Sequence, residues 1–234
     1  MKYLIVIPAR GGSKGISLKN IYPINGKPLL EYTLDVSLSA NLKDTDIVVS
    51  TDSERIKAIA RRYKDVFIVN RPTEISGDKA STEAALIHAL NYMEKSLNKN
   101  YDAVITLQAT SPLRKVETLN NFVKYYEKNY PQYDALLSLN EDRSDFWHKT
   151  NSGEYERLFK NAPRRRQDRT PLYVENSAYY ITDVSALRKT ISVLGTAATG
   201  FVIDDYEAVD INEMIDIYIT EGIMADHIHT GPKI

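Results

Sequence analysis

The sequence predicts a three-layer α/β/α fold around a mainly parallel sheet. Three observations carry this expectation. Runs rich in Val, Ile and Leu recur at residues 3–7, 46–50, 66–69, 102–107 and 134–139. Between them lie stretches whose apolar residues repeat at helical spacing, and strands alternating with helices in this way build right-handed βαβ units. The first run, Tyr3-Leu4-Ile5-Val6-Ile7, is continuous rather than alternating, as expected of a strand covered on both faces.

The elements follow in order. The first strand ends at Pro8 and opens into a loop holding Gly11, Gly12 and Gly15. Residues 21–28 read as a short extended piece with an Asn25-Gly26 turn. Pro28 suits a helix start, and Leu29, Leu30, Leu34 and Leu38 place that helix over about 28–39. After the strand 46–50, Thr51-Asp52-Ser53 caps a helix over about 54–62. A strand at 66–69 precedes a polar loop, 71–81. Ala85, Leu86, Ala89, Leu90 and Met93 then mark one face of a helix over about 82–94. The strand 102–107 leads through the turn 108–114 to a helix over about 116–128 and the strand 134–139. Periodicity then lapses across 140–172, a polar segment containing the only Trp, Trp147. A segment of that length without periodicity inside a compact domain is usually functional or packs on another subunit. Strands are expected again at 178–182, 201–203 and 208–211, and a closing helix at about 213–226.

Composition narrows the function. With 43% hydrophobic and 26% charged residues, the 234-residue chain is ordinary globular protein, and one domain spanning 1–234 is the economical reading. A formal net charge of −1 argues against a general nucleic-acid binder, which needs a positive excess to displace counterions. The absence of cysteine excludes disulfides, a thiolate nucleophile and a zinc–thiolate site. No apolar run approaches membrane-spanning length, and the chain enters its first strand after two residues, so a cytoplasmic protein without a signal peptide or membrane partner is expected.

Four clusters fall at strand ends, where ligands bind in open α/β sheets. The first loop carries Arg10, Lys14 and Lys19 among small residues. Glycines there permit positive φ and close backbone approach, and nests of N–H groups bind anions, so the loop suits a polyphosphate. Alone, it reads equally as a surface turn with solvated lysines, and it lacks the Walker pattern. The second cluster is the loop 71–81, in which Arg71 by itself reads as a solvated arginine. In the third, Gln108 and Arg114 alone suit helix capping and surface charge, and Thr110-Ser111-Pro112 resembles a helix start. In the fourth, Asp210 stands in an apolar context where a carboxylate is costly unless paired or bound to a metal. No two histidines have metal-ligand spacing within an ordered helix; His227 and His229, two apart, point to different faces. No Gly-x-Ser-x-Gly elbow or Ser/His/Asp grouping supports a hydrolase.

Taken together, the motifs resemble the acylneuraminate cytidylyltransferases, or CMP-sialic acid synthetases, with their CMP-legionaminate and CMP-pseudaminate relatives. The resemblance rests on Ile7-Pro8-Ala9-Arg10-Gly11-Gly12-Ser13-Lys14-Gly15, Lys19-Asn20-Ile21, Ser50-Thr51-Asp52, Arg71-Pro72 and Ser81-Thr82. It continues through Leu107-Gln108-Ala109-Thr110-Ser111-Pro112-Leu113-Arg114, Arg166-Gln167-Asp168, Asn176-Ser177-Ala178 and Asp210-Ile211-Asn212. It implies a Rossmann-like sheet of the nucleotidyltransferase (glycosyltransferase A-like) type. It also implies Mg²⁺-dependent transfer of CMP from CTP to the anomeric hydroxyl of a nonulosonic acid, with release of pyrophosphate. By the same resemblance Arg10 and Lys14 hold the triphosphate and act with Asp210 in catalysis. Gly11, Ser13, Asn20, Arg71 and Ser81 contact the nucleotide; Gln108, Arg166, Gln167 and Tyr180 meet the sugar; Asp210 and Asn212 bind the metal. The segment 140–172 is expected to reach across a homodimer to the partner's sugar pocket. Two positions depart from the family pattern: Asn212 stands where Asp is usual, which implies weaker metal affinity, and Ala109 where Pro is common. Competing readings are a Kdo cytidylyltransferase or a sugar-1-phosphate nucleotidyltransferase of the same fold, and a nucleotide-binding protein without catalysis.

Overall fold

A computed structural model describes residues 1–229, without the side chains of 227–229, so the orientations expected for His227 and His229 lie outside the described residues. The chain runs β1 (Tyr3–Pro8), β2 (Pro23–Ile24), β3 (Lys27–Pro28), α1 (Leu29–Ser39), β4 (Thr45–Thr51), α2 (Glu54–Ala60) and β5 (Val66–Asn70). It continues with α3 (Thr82–Leu97), β6 (Ala103–Thr106), α4 (Val116–Asn129), β7 (Ala135–Asp142), β8 (Trp147–Lys149) and β9 (Tyr155–Arg157). Last come β10 (Leu172–Asp183), α5 (Val184–Thr190), β11 (Ala198–Val202) and α6 (Met214–His229).

Seven strands form one sheet in the order β11-β7-β10-β6-β1-β4-β5. All neighbouring pairs are parallel except those of β10, which runs antiparallel to both β6 and β7. Alternation along β1 divides the layers. Tyr3, Ile5 and Ile7 pack in one core with Leu34, Ile56 and Phe122 from α1, α2 and α4. Leu4 and Val6 face the other core, with Leu86, Leu90 and Met93 of α3 and Leu187 of α5. Every residue of β1 before Pro8 is therefore buried, which is why the run is continuous. From β1 the chain winds to β4 and β5, then α3 returns it to β6 on the other flank of β1. That reversal parts the loops at the carboxyl ends of β1 and β6 and opens a crevice there.

Several expectations are corrected. Residues 208–211 form no strand: Ile211 N–H donates to the Thr110 carbonyl (2.9 Å), and the Ile211 side chain packs with Ile16, Ile24, Leu29 and Ile217. Its apolar pattern reflects burial between loops rather than sheet pairing. The strand expected at 178–182 begins at Leu172, because β10 and β7 continue past the sheet as a ribbon, with a register shift between Glu175 and Tyr180. The segment 140–172 is ordered by charge as well. Asp145 accepts from Arg157 Nε and Nη2 (2.7 and 2.8 Å) and from Arg169 Nη2 (3.3 Å), and Arg157 above all holds its carboxyl below the usual range. Beyond it, β8 and β9 form a separate hairpin. Helix α5 lacked a clear pattern in the sequence, and α3 continues to Leu97, where Asn98 in the left-handed conformation (φ 52°) closes it.

The two halves of the sheet are tied under the crevice by Arg114. Its Nε donates to the Ala178 carbonyl (2.8 Å), Nη1 to Thr33 Oγ1 (2.9 Å) and Nη2 to the Gln108 carbonyl, linking β10, α1 and the turn after β6. The guanidinium also lies 5.6 Å from the Tyr179 ring, whose hydroxyl donates to buried Glu207 (2.7 Å). Arg114 is 5% exposed, and burial pushes its pKa down to about 10, so it remains charged at neutral pH. The reading of Arg114 as surface charge is thereby overturned. Arg114→Met is expected to cost about 3–5 kcal/mol in urea unfolding, since three acceptors lose a charged donor in a dry site. Arg114→Lys should recover little of this, because an ammonium cannot match the planar fork.

Candidate active site

The crevice is a cleft of about 470 Å³, and nine of the sequence-predicted site residues line it: Arg10, Ser13, Lys14, Asn20, Arg71, Ser81, Gln108, Asp210 and Asn212. They come from four loops separated by up to two hundred residues. Gly11, Arg166, Gln167 and Tyr180 are not among its lining residues. Lys19, Asp78, Thr110 and Ser177 are, although the site set drawn from the sequence omitted them.

The first loop is held from both sides. Gly11 N–H donates to Asp52 Oδ1 (2.8 Å), and Asn20 Nδ2 donates to the Arg10 carbonyl (2.9 Å). Gly11 and Gly15 serve close approach rather than positive φ. A Cβ at Gly11 would lie 2.9 Å from Ser53 Cβ, and one at Gly15 only 2.4 Å from the Asn212 carbonyl oxygen. The left-handed residue of this loop is Leu18 (φ 53°). Gly11 thus acts on the outer side of the loop, packing it against the turn after β4, and Gly15 lets the loop touch the 210–212 segment.

Cations dominate the first-loop side. Arg10 Nη1 and Lys14 Nζ both pair with Asp78, at 2.9 and 3.0 Å, and Lys14 first, then Arg10, hold the Asp78 carboxyl below its usual range. Arg71 is buried rather than solvated. Its Nε donates to Ser50 Oγ (3.2 Å) and its Nη2 to the Ser50 carbonyl (2.7 Å), and burial pushes its pKa down to about 10. Such anchoring fixes the guanidinium at the cleft wall. Ser81 caps α3, accepting from Ala84 N–H (3.2 Å), so its own hydroxyl proton remains free to donate to a ligand.

Where the first loop meets the 210–212 segment, Lys19 Nζ donates to the Ile211 carbonyl (2.6 Å) and to Asn212 Oδ1 (3.1 Å), while Asn212 Nδ2 donates to Asp210 Oδ2 (2.8 Å). Burial lowers the Lys19 pKa, opposed by Asp210 and Asp216. A donor on one side and an acceptor on the other dictate the orientation of the Asn212 amide. The Asn212 oxygen expected to face a metal accepts from Lys19 here. Asp210 Oδ1, by contrast, is buried with no hydrogen-bond partner among the described residues. A carboxylate oxygen without a partner, on a residue that lines the cleft, fits a hard cation. No group of three or more His, Cys, Asp or Glu suited to a metal occurs among the described residues, so waters and ligand oxygens would complete such a shell.

Tyr180 is buried behind the cleft, its hydroxyl bonded to Glu175 and to Ser177 Oγ (3.0 Å); Ser177 is the residue that reaches the surface of the cleft. Arg166 and Gln167 lie exposed in a short 3₁₀ turn of the ribbon segment. Asp78 could not be singled out from sequence, because it is an ordinary polar residue until the fold sets it against Arg10 and Lys14; Ser177 stood in the Asn176-Ser177-Ala178 motif without a role assigned to it. Lys19 was visible as one of three cations in that loop, without a partner to give it a place.

The cytidylyltransferase family model matches residues 4–206. The chain is 32% identical to a pseudaminic acid cytidylyltransferase of Campylobacter jejuni, over 93% of this chain and 94% of that one. It is 30% identical to an N-acylneuraminate cytidylyltransferase of Escherichia coli, over 92% of this chain and 50% of that one. It is 29% identical to a CMP-N,N'-diacetyllegionaminic acid synthase of Legionella pneumophila, over 96% and 97%. The chain thus spans about half the length of the E. coli relative and nearly all of the other two. Among solved structures, a CMP:2-keto-3-deoxy-manno-octonic acid synthetase solved with CTP superposes with a TM-score of 0.64 at 15% identity, over 97% of this chain and 100% of that one. A 4-diphosphocytidyl-2C-methyl-D-erythritol synthase from Anaerococcus prevotii superposes with a TM-score of 0.67 at 15% identity, over 96% and 98%. These two share the fold. A match over most of the chain, with the motif residues gathered at one crevice, leads to one conclusion: this chain belongs to the cytidylyltransferase family.

Proposed function

We propose that the chain, acting as one domain over 1–234 in the cytoplasm, transfers CMP from CTP to the anomeric hydroxyl of a nonulosonic acid and releases pyrophosphate. The observation that carries this reading is that Arg10, Lys14 and Arg71 line one cleft together with Asp210, whose Oδ1 has no hydrogen-bond partner among the described residues. The anomeric oxygen attacks the α-phosphorus as the bond to the bridging oxygen of the β-phosphate breaks, and pyrophosphate leaves with that electron pair. Such a reaction asks the protein mainly for alignment and charge neutralisation. Arg10 and Lys14 take the charge that accumulates on the leaving group. Arg71, Ser13, Asn20 and Ser81 hold phosphate, ribose or base, and Gln108, with Ser177 beside it, faces the sugar. Asp210 is the residue to hold Mg²⁺ through Oδ1, and the ion would add charge neutralisation at the phosphate oxygens.

The ribbon segment supports a homodimer. Trp147, Tyr155, Leu158 and Phe159 are exposed on it, and Tyr173 and Val174 are exposed on the part of β10 that extends with it. Arg166 and Gln167 lie on the same segment, away from the residues that line their own cleft, and a guanidinium there would grip a partner-bound sugar carboxylate.

Three outcomes test these readings. With Mg²⁺, pyrophosphate should appear only when CTP is paired with N-acetylneuraminate, legionaminate or pseudaminate; release with Kdo or with a sugar 1-phosphate and another nucleotide would contradict the reading. Lys14→Ala should lower turnover roughly 10²–10³-fold. Its melting temperature should stay unchanged, because the side chain is 76% exposed and its ion pair with Asp78 is an exposed one. Sedimentation should find a dimer, and a fully active monomer would overturn the ribbon's role.

A further inference from the structure

Asp78 stands where the two first-loop cations converge. One carboxylate oxygen lies 2.9 Å from Arg10 Nη1 and the other 3.0 Å from Lys14 Nζ, so a single side chain occupies both. The contact spans two loops: Arg10 and Lys14 follow β1, whereas Asp78 follows β5. A tight turn closed by Ala80 N–H to the Gly77 carbonyl (3.1 Å) and the Ser81 cap of α3 tether Asp78 beside the cleft. The carboxylate therefore competes for the cations at a high local concentration, whatever anions the solution holds. All three side chains line the cleft, and Asp78 is 49% exposed, so no packing would resist its withdrawal.

We propose that Asp78 is a specificity residue of the cation-lined side: an internal anion that holds Arg10 and Lys14 until linked phosphates displace it. The inference rests on the reading that these two cations receive the triphosphate. A single anion such as orthophosphate gains contacts at one centre but must break an established pair to do so. A triphosphate reaches both cations at once and has the Arg71 wall beside it, so it replaces both pairs in one event. The cost of displacement falls on every ligand and is regained only by those that span the pair. Exposed ion pairs are individually weak. Two of them shared by one carboxylate correspond to about a three- to tenfold reduction in apparent affinity, because only the fraction with free cations is competent to bind.

Calorimetric titration of CTP into the wild-type protein and Asp78→Asn, at one fixed salt concentration and with inorganic phosphate as competitor, tests this. Asp78→Asn is expected to bind CTP about three- to tenfold more tightly and to become more sensitive to phosphate competition. The gain should shrink when Asp78→Asn is made on Lys14→Ala, since one of the two pairs is already gone. Equal CTP affinity in wild type and Asp78→Asn would overturn the inference while leaving the nucleotide reading intact. Weaker binding by Asp78→Asn would also overturn it, by showing that the carboxylate contacts the bound ligand or its cation. Failure of CTP to bind either protein would overturn the nucleotide reading and this inference with it.

Discussion

The guanidinium of Arg114 is the constraint on which the cleft depends. It reaches carbonyls from the turn after β6 and from β10, and a hydroxyl from α1, in a space closed to water. An arginine is suited to that position because its planar fork presents several donors at set angles without deprotonating. Burying the charge is expensive, and the surrounding acceptors, the Tyr179 ring and the nearby Glu207 offset it. One consequence is functional. Gln108 and Ser177 face the ligand space, while the backbone of Gln108 and of Ala178, the residue after Ser177, is anchored from beneath by this one side chain.

Charge in the cleft is organised so that nearly every ion has an internal partner. Arg10 and Lys14 share Asp78, Lys19 is bridged to Asp210 through the Asn212 amide, and Arg71 rests on the Ser50 carbonyl. An unpartnered cluster of cations would repel itself, and these contacts offset that repulsion. The exception is Asp210 Oδ1, which has no hydrogen-bond partner among the described residues. Asn212 refines this picture: by turning its NH₂ toward Asp210 and its oxygen toward Lys19, it takes one carboxylate oxygen out of play and leaves the other.

The ribbon segment follows a different logic. Asp145, which gathers Arg157 and Arg169, ties it together by charge. Its aromatic residues are consequently free to face outward. That combination, internal order from charge and an external apolar surface, is the pattern expected of an element built to meet another chain.

The parallel sheet and the helices up to residue 139 were legible in the sequence, because strands buried on both faces and helices with one buried face leave periodic traces. The first loop, Arg71, Gln108 and Asp210 were legible as a set, since phosphate-handling residues collect at strand ends. The roles of individual side chains were not. Arg71 and Arg114 read as solvated loop arginines, and only the fold buries them, because desolvation depends on residues far away in the chain. Ile211 looked like part of a strand, yet its apolar neighbours Ile16, Ile24 and Ile217 come from three other segments. Asp78 carries no local signal at all, and Ser177 was visible only as part of the Asn176-Ser177-Ala178 motif. Local periodicity determined the elements and the chemical character of the site. The pairings that hold each charge, and so decide which atoms remain free for a ligand, arise from contacts between segments and were settled only by the tertiary structure.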